Sequence, residues 1–221
     1  MRTDTTCIWL DAGPGTLANL QRHVSVGDLS AVVVTHEHPD HCLELPVLRN
    51  AMRFALDLSG LRVITTAGVR DLVDDISDGA EPTFVWEVVT DGSTIRVGDL
   101  ELRFVRSDHP VETYAVVIGQ DQRRVFYSAD TGAGLDPASV GTGGHGVDLA
   151  IIEATLPPDR EGTYQHLSGR QAGAMARDLG ARRLLLTHLS PGTDGKARQD
   201  EAETTFDSPV ELATIHHSYE V

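Results

Sequence analysis

The segment Thr35-His36-Glu37-His38-Pro39-Asp40-His41 puts three imidazoles and a carboxylate into six residues. So dense a set of nitrogen and oxygen donors makes a poor core and a good cage for a divalent cation, with zinc the first expectation and manganese or iron also accepted by such ligands. One ion cannot easily take all four donors from so short a loop. His36 and His38 fall on one side of an extended segment, whereas Asp40 and His41 lie past the Pro39 bend, so two adjacent metal positions are the natural geometry. Two ions need further ligands. Three more candidates close runs that should be buried: His109 after LRFVRSD, Asp130 after RVFYSA and His188 after RRLLLT. Polar residues at the ends of core strands converge on one rim of the sheets, a usual place for a site. Two cations about 3.5–4 Å apart can share a water, lower its pKa toward neutrality and clamp both the attacking and a phosphoryl oxygen. Asp40, besides ligating, could accept the proton of that bridging water.

The elements that must position these residues can be read from periodicity. Strands are expected at Thr5 to Leu10, Ala31 to Thr35, Leu61 to Thr65, Phe84 to Val89, Thr94 to Val97, Leu100 to Arg106, Leu149 to Glu153 and Arg182 to Thr187. Tyr114 to Gly119 and Arg123 to Ser128 should pair as a hairpin across Gln120-Asp121-Gln122. Helices are expected at Thr16 to His23, from Pro46 to the stop at Gly60, at Val69 to Ile76, and behind Ser168, where Ser168-Gly169-Arg170-Gln171 has the capping-box form. The alternation implies an α/β protein with mixed pairing and helices outside two stacked sheets. No linker or internal repeat divides it, so residues 1–221 read as a single domain.

Composition narrows the function classes. Eighteen Lys and Arg against 33 Asp and Glu leave a formal charge of −15, which repels a long polyanion unless the charge is locally reversed. A pair of divalent ions facing two ligand carboxylates would reverse it inside a cleft, so a small anion is favoured over a large nucleic acid. Cys7 and Cys42 are too few for a disulfide framework and read as reduced, buried residues of a cytoplasmic protein. No run of about 20 apolar residues is present to span a membrane, and the start has neither the basic nor the apolar region of a signal peptide.

In order along the chain, LDAGPG (10–15), THEHPDH (35–41), SDHPVETYA (107–115), YSADTG (127–132), IIEAT (151–155), HLSGRQAG (166–173) and LLLTHLSP (184–191) resemble the metallo-β-lactamase superfamily. The likeness is to the branch of cyclic-nucleotide phosphodiesterases and tRNA 3′-end processing endonucleases. That resemblance implies a four-layer αβ/βα sandwich of two mixed sheets flanked by helices. It also implies that His36, His38, His109 and Asp130 hold one metal, while Asp40, His41, Asp130 and His188 hold the other. His166, 22 residues before His188, corresponds to the branch's non-ligand histidine, which assists phosphorus–oxygen cleavage. Glu153 is a candidate to orient one of the histidines. A homodimer is implied by the same analogy.

The sequence departs from the family at several points. Relatives open with a strand, a Gly-Ser/Thr-Gly turn and a second strand, and this sequence begins about at that second strand. Either the start codon is misassigned or one sheet edge is shortened and left unpaired. Ala115 and Ala129 stand where glycine is common, which requires negative φ. Nothing between Val117 and Asp130 is long enough for the substrate-gripping arm of many tRNA-processing relatives. The expected activity is therefore phosphodiester hydrolysis of a small anionic substrate, a cyclic nucleotide first. The alternatives are a tRNA 3′-end endonuclease, a lactone or thioester hydrolase, and a binding module, metal-bound or metal-free, that has kept the fold without turnover. Gly141–Gly146 lacks the Gly-Lys-Ser/Thr of a phosphate loop and reads as a surface loop. His145 and His23 read as solvated, His216 and His217 as a tail strand, and Trp9, Trp86 and Phe54 as core.

Overall fold

Two short apolar runs, Ile8–Leu10 (β1) and Ala31–Val34 (β2), lie parallel with Ile8 opposite Ala31. The computed structural model describes residues 1–141 and 145–221, so the surface-loop reading of Gly141–Gly146 falls in part, at Thr142 to Gly144, outside the described residues. The described chain is α/β with two sheets and flanking helices, and it groups into two compact units, Met1–Leu100 and Glu101–Val221.

In the first unit, β1 and β2 are followed by Leu61–Thr65 (β3) and Phe84–Val88 (β4) in a four-stranded sheet of order β1-β2-β3-β4. Every pair in it is parallel, so mixed pairing belongs to the other sheet alone. β2 is buried along its whole length, as a parallel strand covered on both faces must be. Helices Thr16–Leu20 (α1), Pro39–Cys42 (α2), Glu44–Asn50 (α3) and Ala67–Ser77 (α4) alternate with these strands, and Thr94–Val97 (β5) comes last. The core joins Trp9, Leu17, Val32, Leu45, Leu48 and Val73. The start of β1 is not bare: the first residues fold back, and Met1 exchanges two hydrogen bonds with Ile8 (2.8 and 2.9 Å).

The long helix expected from Pro46 differs from the expectation. α3 passes at Ala51 into a π-helical stretch, Ala51–Leu56, that stops at Asp57 in the left-handed conformation. The buried series runs Leu45, Leu48, Met52, which is ordinary helical spacing, so the face turned to the core is this one and not the neighbouring face of Val47, Ala51 and Phe54. Phe54 is in solvent, 72% exposed beneath the guanidinium groups of Arg49 and Arg53, and Val47 on the same face is exposed as well. The assignment of Phe54 to the core is corrected, while Trp9 is buried and Trp86 packs against the core.

In the second unit the strands follow the order β11-β10-β9-β8-β7-β6. Leu100–Arg106 (β6), Tyr114–Gln120 (β7) and Arg123–Tyr127 (β8) are antiparallel neighbours. Leu149–Glu153 (β9), Leu184–Thr187 (β10) and Val210–Leu212 (β11) continue in parallel. The β7–β8 hairpin pairs Gln120 with Arg123, leaving two residues for the turn and no arm. Helix Gly169–Asp178 (α5) opens with the expected capping box. Helix Gly195–Phe206 (α6) and β11 were not expected. The tail-strand reading of His216 and His217 is corrected, because they lie in and just after a turn, with His216 at φ +66°. His23 and His145 are exposed. Among the described residues no helix is long and apolar enough to cross a membrane.

Candidate metal centre

In the first unit the histidine loop leaves β2 and turns into α2, whose first residue is Pro39. The His36 ring lies 4.8 Å from that of His38 and 4.2 Å from that of His41, centroid to centroid, so the three imidazoles form one cluster. Their organiser is Asp11, one residue past β1, which the sequence marked only as part of a motif. It accepts from the Thr35 amide (2.8 Å) and hydroxyl (3.1 Å) and holds His41 Nδ1 at 2.8 Å. The Thr35 hydroxyl in turn meets His36 Nδ1 at 3.0 Å. Glu37, on the opposite side of the extended loop, lies over Gly68 at the start of α4. Asp40 has a largely exposed carboxylate 3.7 Å from His41 Nε2. Gly13 permits the close approach behind it, since a Cβ there would lie 1.8 Å from the Asp40 carbonyl oxygen.

Burial pushes the Asp11 carboxyl up, but the charge and hydrogen bond of His41 and the Thr35 amide outweigh it and hold the group below its ordinary value of 3.8. The Cys42 thiol is pushed up to about 12 by burial and by the carboxylates of Asp11, Glu37 and Asp40. It is a buried, inert residue beside the cluster, as its type suggested, and Cys7 is buried and free as well.

The second unit repeats the device. Glu153, at the end of β9, is fully buried. One carboxylate oxygen accepts from the Thr131 amide (2.7 Å) and holds His166 Nδ1 at 2.9 Å. The other accepts from the Thr155 hydroxyl at 2.6 Å, and that hydroxyl lies 2.8 Å from His188 Nδ1. Each unit therefore uses a buried carboxylate that fixes one imidazole directly and a second through a threonine. His109, past the end of β6, is held by its Nδ1 against the Gln165 carbonyl at 3.2 Å.

Asp130 completes this cluster. Its Oδ1 lies 3.4 Å from His188 Nε2 and its Oδ2 lies 4.0 Å from His109 Nε2, so its two oxygens face different histidines. The ends of β6 and β8 that carry His109 and Asp130 are laced together: the Ser107 hydroxyl donates to the Asp130 carbonyl (2.9 Å), and Asp108 accepts from the amides of Gly132 and Gly134. Ala129, just before it, takes φ +52°, so the expectation of negative φ there is corrected. A β-carbon costs roughly 1–2 kcal/mol in that conformation.

Asp130, His166 and His188 each offer a donor atom within 4.8 Å of the others. In His36, His41, His109, His166 and His188 it is Nδ1 that the protein engages. Anchoring Nδ1 in this way fixes the ring and directs Nε2 away from the anchor, the orientation that metal-binding histidines use. With carboxylate oxygens beside them, these donors fit a divalent cation.

A family model described as β-lactamase superfamily domain matches residues 6–189. The chain belongs to the metallo-β-lactamase superfamily. Within that superfamily it is 31% identical to an uncharacterised protein of Mycobacterium leprae, over 99% of this chain and 79% of the other. It is 29% identical to a probable metallo-hydrolase, YhfI, of Bacillus subtilis, over 92% and 84%. A ribonuclease Z of Haloarcula marismortui is 24% identical over 95% and 86%. Among solved structures, that of the Bacillus subtilis YhfI has a TM-score of 0.87 at 24% identity, covering 99% of this chain and 89% of that one. Human tRNase Z, short form, has a TM-score of 0.72 at 21% identity, over 86% and 85%. A diphosphatase of the PhnP family reaches 0.70 at 19%, over 96% and 79%. With that family match goes a cluster of His and Asp side chains able to bind metal.

Proposed function

We propose that this metallo-β-lactamase-family protein is a binuclear phosphodiesterase acting on a small anionic substrate, with a cyclic nucleotide as the first candidate. The observation that carries the reading is His166, anchored by Nδ1 on buried Glu153 and stacked 5.7 Å from His188, an imidazole beyond the number the ligand set requires. His36, His38, His109 and Asp130 would hold one ion, and Asp40, His41, Asp130 and His188 the other; zinc is the proposed metal. The two differently directed oxygens of Asp130 support a shared ligand. When bound, such a pair of ions supplies an activated water and charge stabilisation at a phosphoryl oxygen.

The chain's own groups do the rest. Asp40, whose carboxylate is open to solvent, accepts a proton and passes it out. His166 as imidazolium, its charge balanced by Glu153, donates from Nε2 to the leaving oxygen. The resulting neutral ring keeps its Nδ1 proton on the carboxylate, so its orientation is unchanged between turnovers.

A tRNA 3′-end endonuclease is the second reading, favoured by the likeness to proteins named ribonuclease Z. The charge of −15 and the two-residue β7–β8 turn count against it. The deciding experiment assays the zinc-loaded protein side by side on cyclic AMP, a precursor tRNA and an acyl thioester. Cyclic AMP turnover with two equivalents of metal is expected. Thioester turnover without phosphodiester turnover overturns the proposal, and a folded protein with no metal affinity assigns it to a binding module. A cytoplasmic location and a homodimer complete the proposal, the latter checked by sedimentation.

A further inference from the structure

Between β9 and α5 the chain makes an excursion that carries His166 and is held by its own hydrogen bonds. Its neck closes where the Leu156 amide donates to the Leu167 carbonyl (2.8 Å). A short 3-10 turn, Pro158–Arg160, follows, and the Arg160 carbonyl accepts from both the amide (3.1 Å) and the hydroxyl (2.7 Å) of Thr163. Glu161 ties the middle of the loop to the first turn of α5, accepting from the Ser168 hydroxyl at 2.5 Å and pairing with Arg170. The His166 amide donates to the Tyr164 carbonyl at 2.8 Å, so one tight turn sets both side chains.

What this scaffold displays is Tyr164, 60% exposed, with the Arg160 guanidinium 5.5 Å from its ring centroid. Exposure gains an aromatic ring nothing in folding, and a cation placed over it restrains it further. Two residues of chain reach at most about 7 Å, the scale of one ribose. An aromatic tethered within that reach of a histidine acting on phosphate can meet a group one sugar away. We propose that Tyr164, backed by Arg160, is the stacking platform for the base of a nucleotide substrate, and that the loop from Thr155 to His166 sets a preference for nucleoside phosphodiesters. The inference rests on the phosphodiesterase reading above and adds the part of the substrate that reading leaves open.

Two measurements on the full chain test it. The first compares kcat/KM for cyclic AMP with that for glycerol 1,2-cyclic phosphate, which has no base. In Tyr164→Ala the ratio is expected to fall about tenfold, chiefly through KM for cyclic AMP, and to recover in Tyr164→Phe. An unchanged ratio, or equal losses on both substrates, overturns the platform. The second needs no turnover: the added fluorescence of Tyr164→Trp, read against the wild-type tryptophans, should be quenched by adenosine 5′-monophosphate and not by ribose 5-phosphate. Equal quenching, or none, overturns the platform. If the wild type turns over neither phosphodiester, the functional reading fails while the fluorescence titration still decides the subsite.

Discussion

A carboxylate sealed from water is tolerated where hydrogen bonds replace its lost hydration, and Asp11 and Glu153 each meet that condition by gripping histidines. Asp11→Asn keeps the shape and removes the charge that His41 and Thr35 address. It is expected to lower stability of the metal-free protein by about 1–3 kcal/mol and metal affinity about 10–100-fold, read by urea unfolding and by chelator competition. The pH dependence has a definite sign. Because the folded Asp11 carboxyl lies below its ordinary 3.8, the unfolded chain binds the proton more tightly. The stabilisation is complete above that value and is lost as pH falls through the lower folded value. The acid limb of a stability–pH curve should therefore shrink in Asp11→Asn, and an unaltered limb would place the linkage elsewhere. In the second unit, His166→Ala should retain the metal content of the wild type while losing activity about 10²–10⁴-fold. Metal analysis beside a rate measurement checks this, and unchanged activity removes His166 from the mechanism.

At the scale of elements, the proposed ligands are delivered by strand ends and the tight joints behind them. Gly13→Ala would drive a β-carbon into the Asp40 carbonyl, displacing α2 with its Asp40 and His41; a loss of about 2–4 kcal/mol is expected in urea unfolding. Phe54→Ser, on the exposed π-helical stretch, should change stability by less than about 0.5 kcal/mol. These contrasting sites mark what sequence could and could not disclose. The strands that lead to His36, Asp130, Glu153 and His188 were legible because apolar runs gave way, within three residues, to polar residues of metal-binding type. Asp11 ended such a run too, yet a lone carboxylate gives no sign that it will reach His41 thirty residues on. The π-helical stretch was hidden because the apolar spacing at Val47, Ala51 and Phe54 is also that of an ordinary helix, and only backbone hydrogen bonding distinguishes them. α6 was invisible for another reason: its buried positions are Arg198, Ala202 and Phe206, a stripe with an arginine in it. At Ala129 a positive φ is imposed by the turn into Asp130, a tertiary demand that overrides the residue's own preference.

For the whole molecule the decisive quantity is charge. Thirty-three acidic side chains against 18 basic ones leave few places where a long RNA could exchange counterions for protein cations. A protein that grips nucleic acid through many phosphates loses about 10³–10⁵ in affinity between about 50 and 200 mM salt, because each neutralised phosphate releases counterions. With a net charge of −15, the opposite regime applies here: repulsion is long-ranged at low salt and is screened within a Debye length of about 8 Å at physiological ionic strength. Binding of a precursor tRNA to the metal-loaded protein should therefore be weak and should not fall as salt is raised over that range. Cyclic AMP carries a single charge and meets chiefly the local field of its site, so its kcat/KM should vary by no more than about twofold over the same range. Filter binding and initial rates at matched ionic strengths make the comparison. A steep decline in RNA affinity with salt would reveal a basic track that the composition hides, and would move the balance from the cyclic-nucleotide reading to the tRNA one.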